Sequence, residues 1–481
     1  MIRKYIFLFL AFCLLCPTFA SAADRKLNVL LIISDDLCAD LGCYGAPTIT
    51  PNIDAFAKNG VRLDHIYCNY PLCGPSRCSF LSGLRPDTIG VIANGYPVRY
   101  KLKDVVTLPQ NFRQHGYFVA RAGKAYHLGI PFQVGTPGPD DPQSWDYAFN
   151  PKGNEYPSLD DGDQYDPNPK NQQSFRRNLL KDPEGKTQAD YEIATETIRL
   201  LDEHQHADKP FFLVCGFIRP HMPEIAPKQY FDQYDINKIH LPDNPPNDRD
   251  DIPLCAFQYK APDMGMTHED CLQAKRGYYA VTSFMDHQFG RVLAEVDRLH
   301  LRDNTLIIFM SDHGYMLGQH QAWQKTQLWE ECTRVPMIFS YPDMPHRDVG
   351  ASGMAESVDL YPTICDLTSV PGPKVLEGMS FRPILENPAA PFKDAAYTQV
   401  NRKQIVGRSV HTLRYRYTEW DHGDQGTELY DLQTDPHEYT NLAKDPSQSA
   451  TIQHLQSLLR AHEPAQEPKW IPGPPEVRVT P

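Results

Sequence analysis

Three short, nearly continuous apolar runs, at residues 27–33 (LNVLLII), 210–217 (PFFLVCGF) and 304–310 (NTLIIFM), limit what this chain can become. A strand that is apolar on both faces must be covered on both faces, and helices packed on each side of a parallel sheet do this. Shorter runs at 117–120 and 335–339 read the same way. Helical patterns fall between them, near 51–57, 107–116, 189–202, 276–296 and 358–364. Alternation of strand and helix predicts an α/β fold, a large central mixed sheet flanked by helices on both faces.

Open sheets of this kind collect ligands beyond the C-terminal ends of their strands. The first run ends in Ser34-Asp35-Asp36 and the third in Ser311-Asp312-His313-Gly314. Adjacent carboxylates repel each other unless a cation sits between them, and hard oxygen ligands suit Ca²⁺ or Mg²⁺. Read alone, Asp35 and Asp36 are equally a helix cap and a solvated acid. Asp312 and His313 could complete a metal site with them. The second run delivers Arg219-Pro220-His221-Met222-Pro223, where flanking prolines predict extended backbone at His221. A purely structural histidine is the alternative there.

The stretch 70–83 (YPLCGPSRCSFLSG) carries the densest chemistry. Pro75 suits a first helical position, which would place Cys73 just ahead of a helix N-terminus, where an anion is favoured. Arg77 can add a forked positive charge for a tetrahedral oxyanion. A disulfide cysteine beside a helix cap is the bland alternative. In Gly123-Lys124-Ala125-Tyr126-His127, Lys124 and His127 follow a strand and can converge on one anionic group. Singly, an exposed lysine and a core histidine would be ordinary.

The Cys-x-Pro-Ser-Arg pentapeptide at 73–77, followed by Leu81-Ser82-Gly83, resembles the signature of the sulfatase family, within the alkaline-phosphatase-like superfamily. Gly123 to His127, the Asp312-His313 pair and Lys325 in Trp323-Gln324-Lys325 are similar to the iduronate 2-sulfatase branch. Sulfatases at large usually place asparagine where His313 stands. The resemblance implies that a formylglycine-generating enzyme converts Cys73 to formylglycine. It implies one divalent cation, with Ca²⁺ the expected ion, bound by Asp35, Asp36, modified Cys73, Asp312 and His313. Arg77, Lys124 and Lys325 would hold the sulfate, His221 would protonate the leaving sugar oxygen, and His127 would accept a proton when sulfate departs. The implied substrate is a sulfated oligo- or polysaccharide, attacked from its end at a 2-O-sulfated uronic (iduronic) acid. The rivals are a sulfatase of different glycan specificity, a phosphonate or phosphate monoesterase of the same superfamily, and a non-catalytic glycan-binding relative, which should lack one of these residues. All are present.

Residues 1–22 read as a signal peptide: Arg3 and Lys4, an apolar core, then Ala20-Ser21-Ala22. The expected location is therefore exported: periplasmic or secreted, or a lysosomal type of lumen in a eukaryote. Past this leader no apolar run is long enough to span a membrane. Losing Arg3 and Lys4 takes the formal charge from −13 to −15. Such a chain is poorly suited to nucleic acid, and an anionic substrate must be attracted by local cations. Arg99, Lys101 and Lys103 are weak candidates for a second cationic contact. Setting aside Cys13, Cys16 and Cys73 leaves nine of twelve cysteines, an odd number that argues against full pairing. Cys255 with Cys271 is the single disulfide expected. Pro-rich excursions at 131–190 and 240–270 read as walls of a pocket. The catalytic domain is expected over 23–386. A smaller C-terminal α/β subdomain should occupy 387–481, where period-two alternation predicts a small antiparallel sheet.

Overall fold

The computed structural model describes residues 26–155, 164–165, 175, 177–464 and 473–474. The expected signal peptide lies outside the described residues, as do 156–163 and 166–174 of the first excursion. Eight strands form the central sheet: β1 (Asn28–Asp35), β2 (Val61–Tyr67), β3 (Phe118–Gly123), β4 (Tyr147–Phe149), β5 (Phe211–Pro220), β6 (Thr305–Ser311), β7 (Met337–Ser340) and β8 (Val349–Glu356). Their order is β8-β2-β7-β6-β1-β5-β3-β4. The three apolar runs become β1 and its two parallel neighbours, with Leu31 opposite Val214 on one side and Ile308 on the other. β7 runs antiparallel to both of its neighbours, which makes the sheet mixed.

Burial on both faces follows from the side-chain period of two. Val29, Leu31 and Ile33 face one core with Phe80, Leu81 and Ile364, from α2 (Cys73–Ser82) and α5 (Leu360–Thr368). Leu30 and Ile32 face the other, against α1 (Pro51–Lys58), α3 (Ala189–His204) and α4 (His268–Arg298), through Phe56, Ile193, Phe289 and Val292. Val29 to Ile33 are all 0 % exposed. Each such residue contributes about 1.5–3 kcal/mol on burial, so the strand that ends in Asp35 is a stiff platform.

Besides the three-residue β4, which lies in the first Pro-rich excursion, two strands carried no readable apolar run. β2 alternates with Arg62 and Asp64, which stay partly exposed. β8 sits at the sheet edge with Gly350 and Gly353 in it, and a Cβ on Gly350 would lie 2.0 Å from the Asp64 carboxylate. α4 begins at His268, earlier than its apolar pattern, because Thr267 and Asp270 form a capping box. The expected Cys255–Cys271 disulfide does not form. Cys271 is packed in the aromatic cluster under α4, while Cys255 turns to the Gln425 carbonyl, and both are free thiols.

The C-terminal sheet is a four-stranded antiparallel meander: β9 (Ala396–Arg402), β10 (Ile405–His411), β11 (Tyr415–Trp420) and β12 (Gly426–Asp431). α6 (Ser449–Arg460) covers it, burying Leu455 and Leu459 against Val410, Tyr417 and Leu429.

Candidate active site

α2 starts at Cys73 itself, with Leu72 extended before it (φ −155°, ψ 134°). Pro75 therefore lies inside the first turn rather than opening it, and Cys73 is not ahead of the helix. The shift costs no hydrogen bond, since the first four N–H groups of a helix have no intrahelical partner. All ten residues of α2 are buried. The Gly74 N–H is taken by Asn94 Oδ1 at 2.8 Å.

At the end of β1, Asp35 and Asp36 are 0 % exposed, and Asp36 has φ 65°. Asp36 is pinned from three sides: its N–H donates to Asp312 Oδ1 (3.1 Å), Tyr278 Oη donates to its carbonyl (2.8 Å), and Lys325 Nζ donates to both carboxylate oxygens (2.6 and 2.8 Å). Lys325 Nζ also reaches Cys73 Sγ at 3.2 Å. Lys124 Nζ donates to Asp35 Oδ2 at 2.5 Å. Arg77 gives four of its five N–H groups to protein oxygens: Asp312 Oδ2 (2.8 Å), Asp35 Oδ1 (3.2 Å) and the carbonyls of Lys124 and Ala125 (2.7 and 3.1 Å). It is thus a pillar of the acidic cluster.

Burial would raise the Asp35 carboxyl, but Lys124 and Arg77 hold it well below the usual range. Asp36 is likewise lowered, against burial, by Lys325 and His221. Both carboxylates stay charged. The thiol behaves otherwise: burial and the Asp35 charge push Cys73 up, outweighing Lys124 and Lys325. The anion expected of a helix N-terminus does not form on sulfur here, and a neutral buried thiol is a poor nucleophile.

His313 Nδ1 lies 2.8 Å from the Gly314 carbonyl. A proton on Nδ1 satisfies that contact and leaves Nε2, 3.2 Å from Asp36 and 3.4 Å from Cys73 Sγ, turned into the cluster. Ligating histidines are oriented in this way. Burial opposes charging His313, yet Asp312 and Cys73 raise it well above its usual value. His221 Nδ1 faces the Met222 carbonyl (2.7 Å), and its Nε2 lies 3.8 Å from Asp36. Burial holds its pKa down to about 4, with Asp36 pulling the other way. His127 is 4 % exposed on the loop that carries Lys124.

Ligand atoms of Asp35, Asp36, Cys73 and His221 lie within 4.8 Å of one another, as do those of Cys73, Asp312 and His313. Four segments far apart in sequence have been brought to one point. The sulfatase family model matches residues 27–370. The chain belongs to the sulfatase family.

A second family model, described as N-sulphoglucosamine sulphohydrolase, C-terminal, matches residues 318–464. Human iduronate 2-sulfatase is 30 % identical over 484 residues, covering 84 % of this chain and 86 % of the relative. A solved 2-O GAG sulfatase superposes with a TM-score of 0.71 at 23 % identity, covering 91 % of this chain and 92 % of that one. The phosphonate monoester hydrolase of Silicibacter pomeroyi superposes with a TM-score of 0.76 at 22 % identity, covering 91 % and 95 %. At those identities the two structures speak for the fold.

Sulfatases typically use a metal ion, and this donor set fits one. Three hard carboxylates and an imidazole nitrogen converge, and their repulsion is offset here by Arg77, Lys124 and Lys325. Two of the three weak candidates for a second cationic contact are committed elsewhere. Arg99 binds Asp141, Gln110 and the Val105 carbonyl, and Lys103 donates to the Tyr100 carbonyl. Tyr278 and Asn94 were not legible as site residues. The first reads as a core aromatic of a long helix, and the second sits in a loop without pattern.

Proposed function

We propose that this sulfatase removes 2-O-sulfate from a terminal uronic acid of a sulfated glycan, through a formylglycine made from Cys73. The observation that carries the reading is the convergence of Cys73 with Asp36, His313 and Lys325 at the C-terminal edge of β1 and β6. The raised Cys73 thiol supports a nucleophile other than thiolate. Formylglycine would supply an aldehyde whose hydrate attacks sulfur and can later be regenerated. A divalent cation, Ca²⁺ in this reading, would be held by Asp35, Asp36, residue 73, Asp312 and His313, and would supply Lewis-acid charge.

The chain's own groups do the rest. Arg77 fixes Asp35 and Asp312 in orientation. Lys325, 3.2 Å from Cys73 Sγ, and Lys124, paired with Asp35, hold the sulfate oxygens in this reading. Asp312 Oδ1 accepts the N–H groups of Asp36 and His313, so a proton arriving on that carboxylate would meet a fixed orientation. His221 keeps Nε2 toward the site; neutral before substrate arrives, it gains a proton as sulfate charge accumulates and passes it from Nε2 to the leaving oxygen. His127, on the Lys124 loop, accepts the proton released when sulfate leaves.

A chain of net charge −13 attracts a polyanion weakly from afar, so binding should depend on the local cations and on a pocket that admits one end residue. The 30 % identity to human iduronate 2-sulfatase supports the 2-O-sulfo-uronate choice. The test pairs a non-reducing-end 2-O-sulfo-uronate disaccharide with its 6-O-sulfo-hexosamine counterpart, beside an aryl phosphate. The first should be turned over with the higher kcat/KM. Preference for the second, or sulfate release from inside intact chains, would refute the specificity. Faster aryl phosphate turnover would favour the monoesterase rival.

A further inference from the structure

Lys325 sits between two residues in the left-handed region: Gln324 at φ 71° and Thr326 at φ 72°. For a β-branched residue such as Thr326 this is a true outlier, held only where surroundings over-determine it. The surroundings come from three directions. The Thr326 N–H donates to the Pro71 carbonyl at 3.0 Å, two residues before Cys73. Tyr259 Oη donates to Gln324 Oε1 at 3.1 Å. From the C-terminal sheet, Arg402 Nη2 donates to the Thr326 carbonyl.

Arg402 is unusual for a cation in this position. Its other acceptors are the carbonyls of Cys255 (3.2 Å) and Ala256 (3.1 Å), so it spends its charge on backbone oxygens. Among the described residues its Nη1 is buried without a hydrogen-bond partner and no carboxylate pairs with it. Burial lowers its pKa to about 10. Beyond the carbonyls, its guanidinium lies over the Trp420 ring, 5.6 Å from the centroid. Taking a guanidinium out of water for carbonyls and one ring face, with no carboxylate, is a poor way to gain stability. The residue before it points to the same place: the Asn401 N–H donates to Tyr70 Oη at 2.9 Å, and Tyr70 precedes Cys73 on the nucleophile loop. The β9–β10 turn therefore touches both loops that meet at Cys73 Sγ and Lys325 Nζ.

We propose that Arg402 is a positioning residue for Lys325, clamping the Gln324-Lys325-Thr326 backbone in its left-handed form. The inference rests on the reading of Lys325 as a sulfate-holding cation. Lysine reaches its target on a flexible stem, so the backbone beneath it sets where the ammonium spends its time. Without the clamp on the Thr326 carbonyl, residues 324–326 relax toward ordinary φ and the Cα–Cβ direction of Lys325 swings away from residue 73.

Arg402→Met, Arg402→Lys, Lys325→Ala and the Arg402→Met/Lys325→Ala double variant test this, each measured well below its melting temperature. Inorganic sulfate affinity is read by calorimetry, kcat and KM with an aryl sulfate, and amide exchange over 323–327 by mass spectrometry. Arg402→Met should accelerate exchange in that segment about tenfold. It should also weaken sulfate binding and lower kcat about ten- to a hundredfold, the scale on which a small misplacement is felt. The double variant should be no worse than Lys325→Ala, because one residue acts through the other. Arg402→Lys keeps the charge but cannot span three carbonyls, so it should show the same exchange pattern in weaker form. It also serves as the readout if Arg402→Met does not fold. Effects that multiply in the double variant, or native exchange and sulfate affinity in the Arg402 variants, overturn the proposal. If Lys325→Ala itself binds sulfate as the native protein does, the reading of Lys325 falls and takes this inference with it. If only the Lys325 variant is impaired, the inference alone falls.

Discussion

The edge of the central sheet at Asp35, Asp36 and Asp312 and the seam between the C-terminal sheet and residues 328–330 both bury charge and use it differently. In the seam, the Glu428 carboxylate accepts from Trp329 Nε1 (3.1 Å), Trp420 Nε1 (2.7 Å) and Tyr430 Oη (2.9 Å). Glu330 takes Arg416 (2.6 Å) and Tyr67 Oη (3.2 Å), and Arg416 also donates to the Leu328 carbonyl (2.9 Å). These donors come from fixed rings and strands, and the carboxylates serve to join two sheets. At the other edge the partners are two lysines on loops and an imidazole nitrogen turned inward, all gathered round one small side chain, Cys73. Buried charge by itself is therefore a weak sign of function. Convergence of ligand atoms on a reactive position is the stronger one.

The comparison breaks first at Cys73. Cys73→Ala should lower turnover by about a thousandfold or more, the loss typical of a covalent nucleophile, with little change in melting temperature. Mass spectrometry of the native peptide should show a fragment lighter than its cysteine form. An active enzyme that keeps its thiol would defeat the mechanism. Glu428→Gln should show the opposite profile, a lower melting temperature with kcat nearly unchanged.

Chelation comes next. A ligand bound only by the folded state at a hundred to a thousand times its Kd contributes about 3–4 kcal/mol. Removing the metal should thus abolish activity and lower the melting temperature by several degrees. Restoring Ca²⁺ should recover both. Full activity after exhaustive chelation would remove the metal from the reading.

A smaller effect separates the regions by pH. Burial pushes the Glu438 carboxyl up to about 7 against the pull of Arg416, with Glu330 and Glu331 adding to the rise. The folded protein thus binds this proton more tightly than the unfolded chain. The stability it contributes is full below a pH of about 4.5 and is lost as pH climbs through about 7. The total is up to about 3 kcal/mol. Glu438→Gln should flatten the stability curve between those limits while leaving the pH profile of kcat alone. An unchanged curve would mean that the seam does not titrate.

The smallest effect belongs to the exposed loop cations. Lys101→Ala should leave KM within about twofold, since surface charges contribute little. A large rise in KM would restore that loop as a substrate contact.

Much of this was legible along the chain because it is local. Runs 27–33, 210–217 and 304–310 are nearly continuously apolar, so both faces had to be buried, and three parallel central strands followed. The residues that end those runs, Asp35, Asp36, His221, Asp312 and His313, were marked by their place, because strand ends are where such sheets open. Other features are properties of neighbours rather than of neighbours in sequence. Strand β8 was hidden because an edge position relaxes the need for apolar residues, and its neighbour β2 because Arg62 and Asp64 stay partly exposed. The Cys255–Cys271 pairing failed because loop proximity in sequence says nothing about which core each thiol enters. Arg77 was legible as a fixed positive charge, while its bracing of Asp35 and Asp312 was visible only after folding. Tyr278 and Arg402 touch the site from a long helix and from another sheet, at separations of more than 200 residues from Asp36 and more than 70 from Thr326. The chain by itself determined which groups could do this chemistry; only the tertiary structure decided which of them meet, since side-chain contacts across such separations depend on how whole elements pack and not on any local pattern.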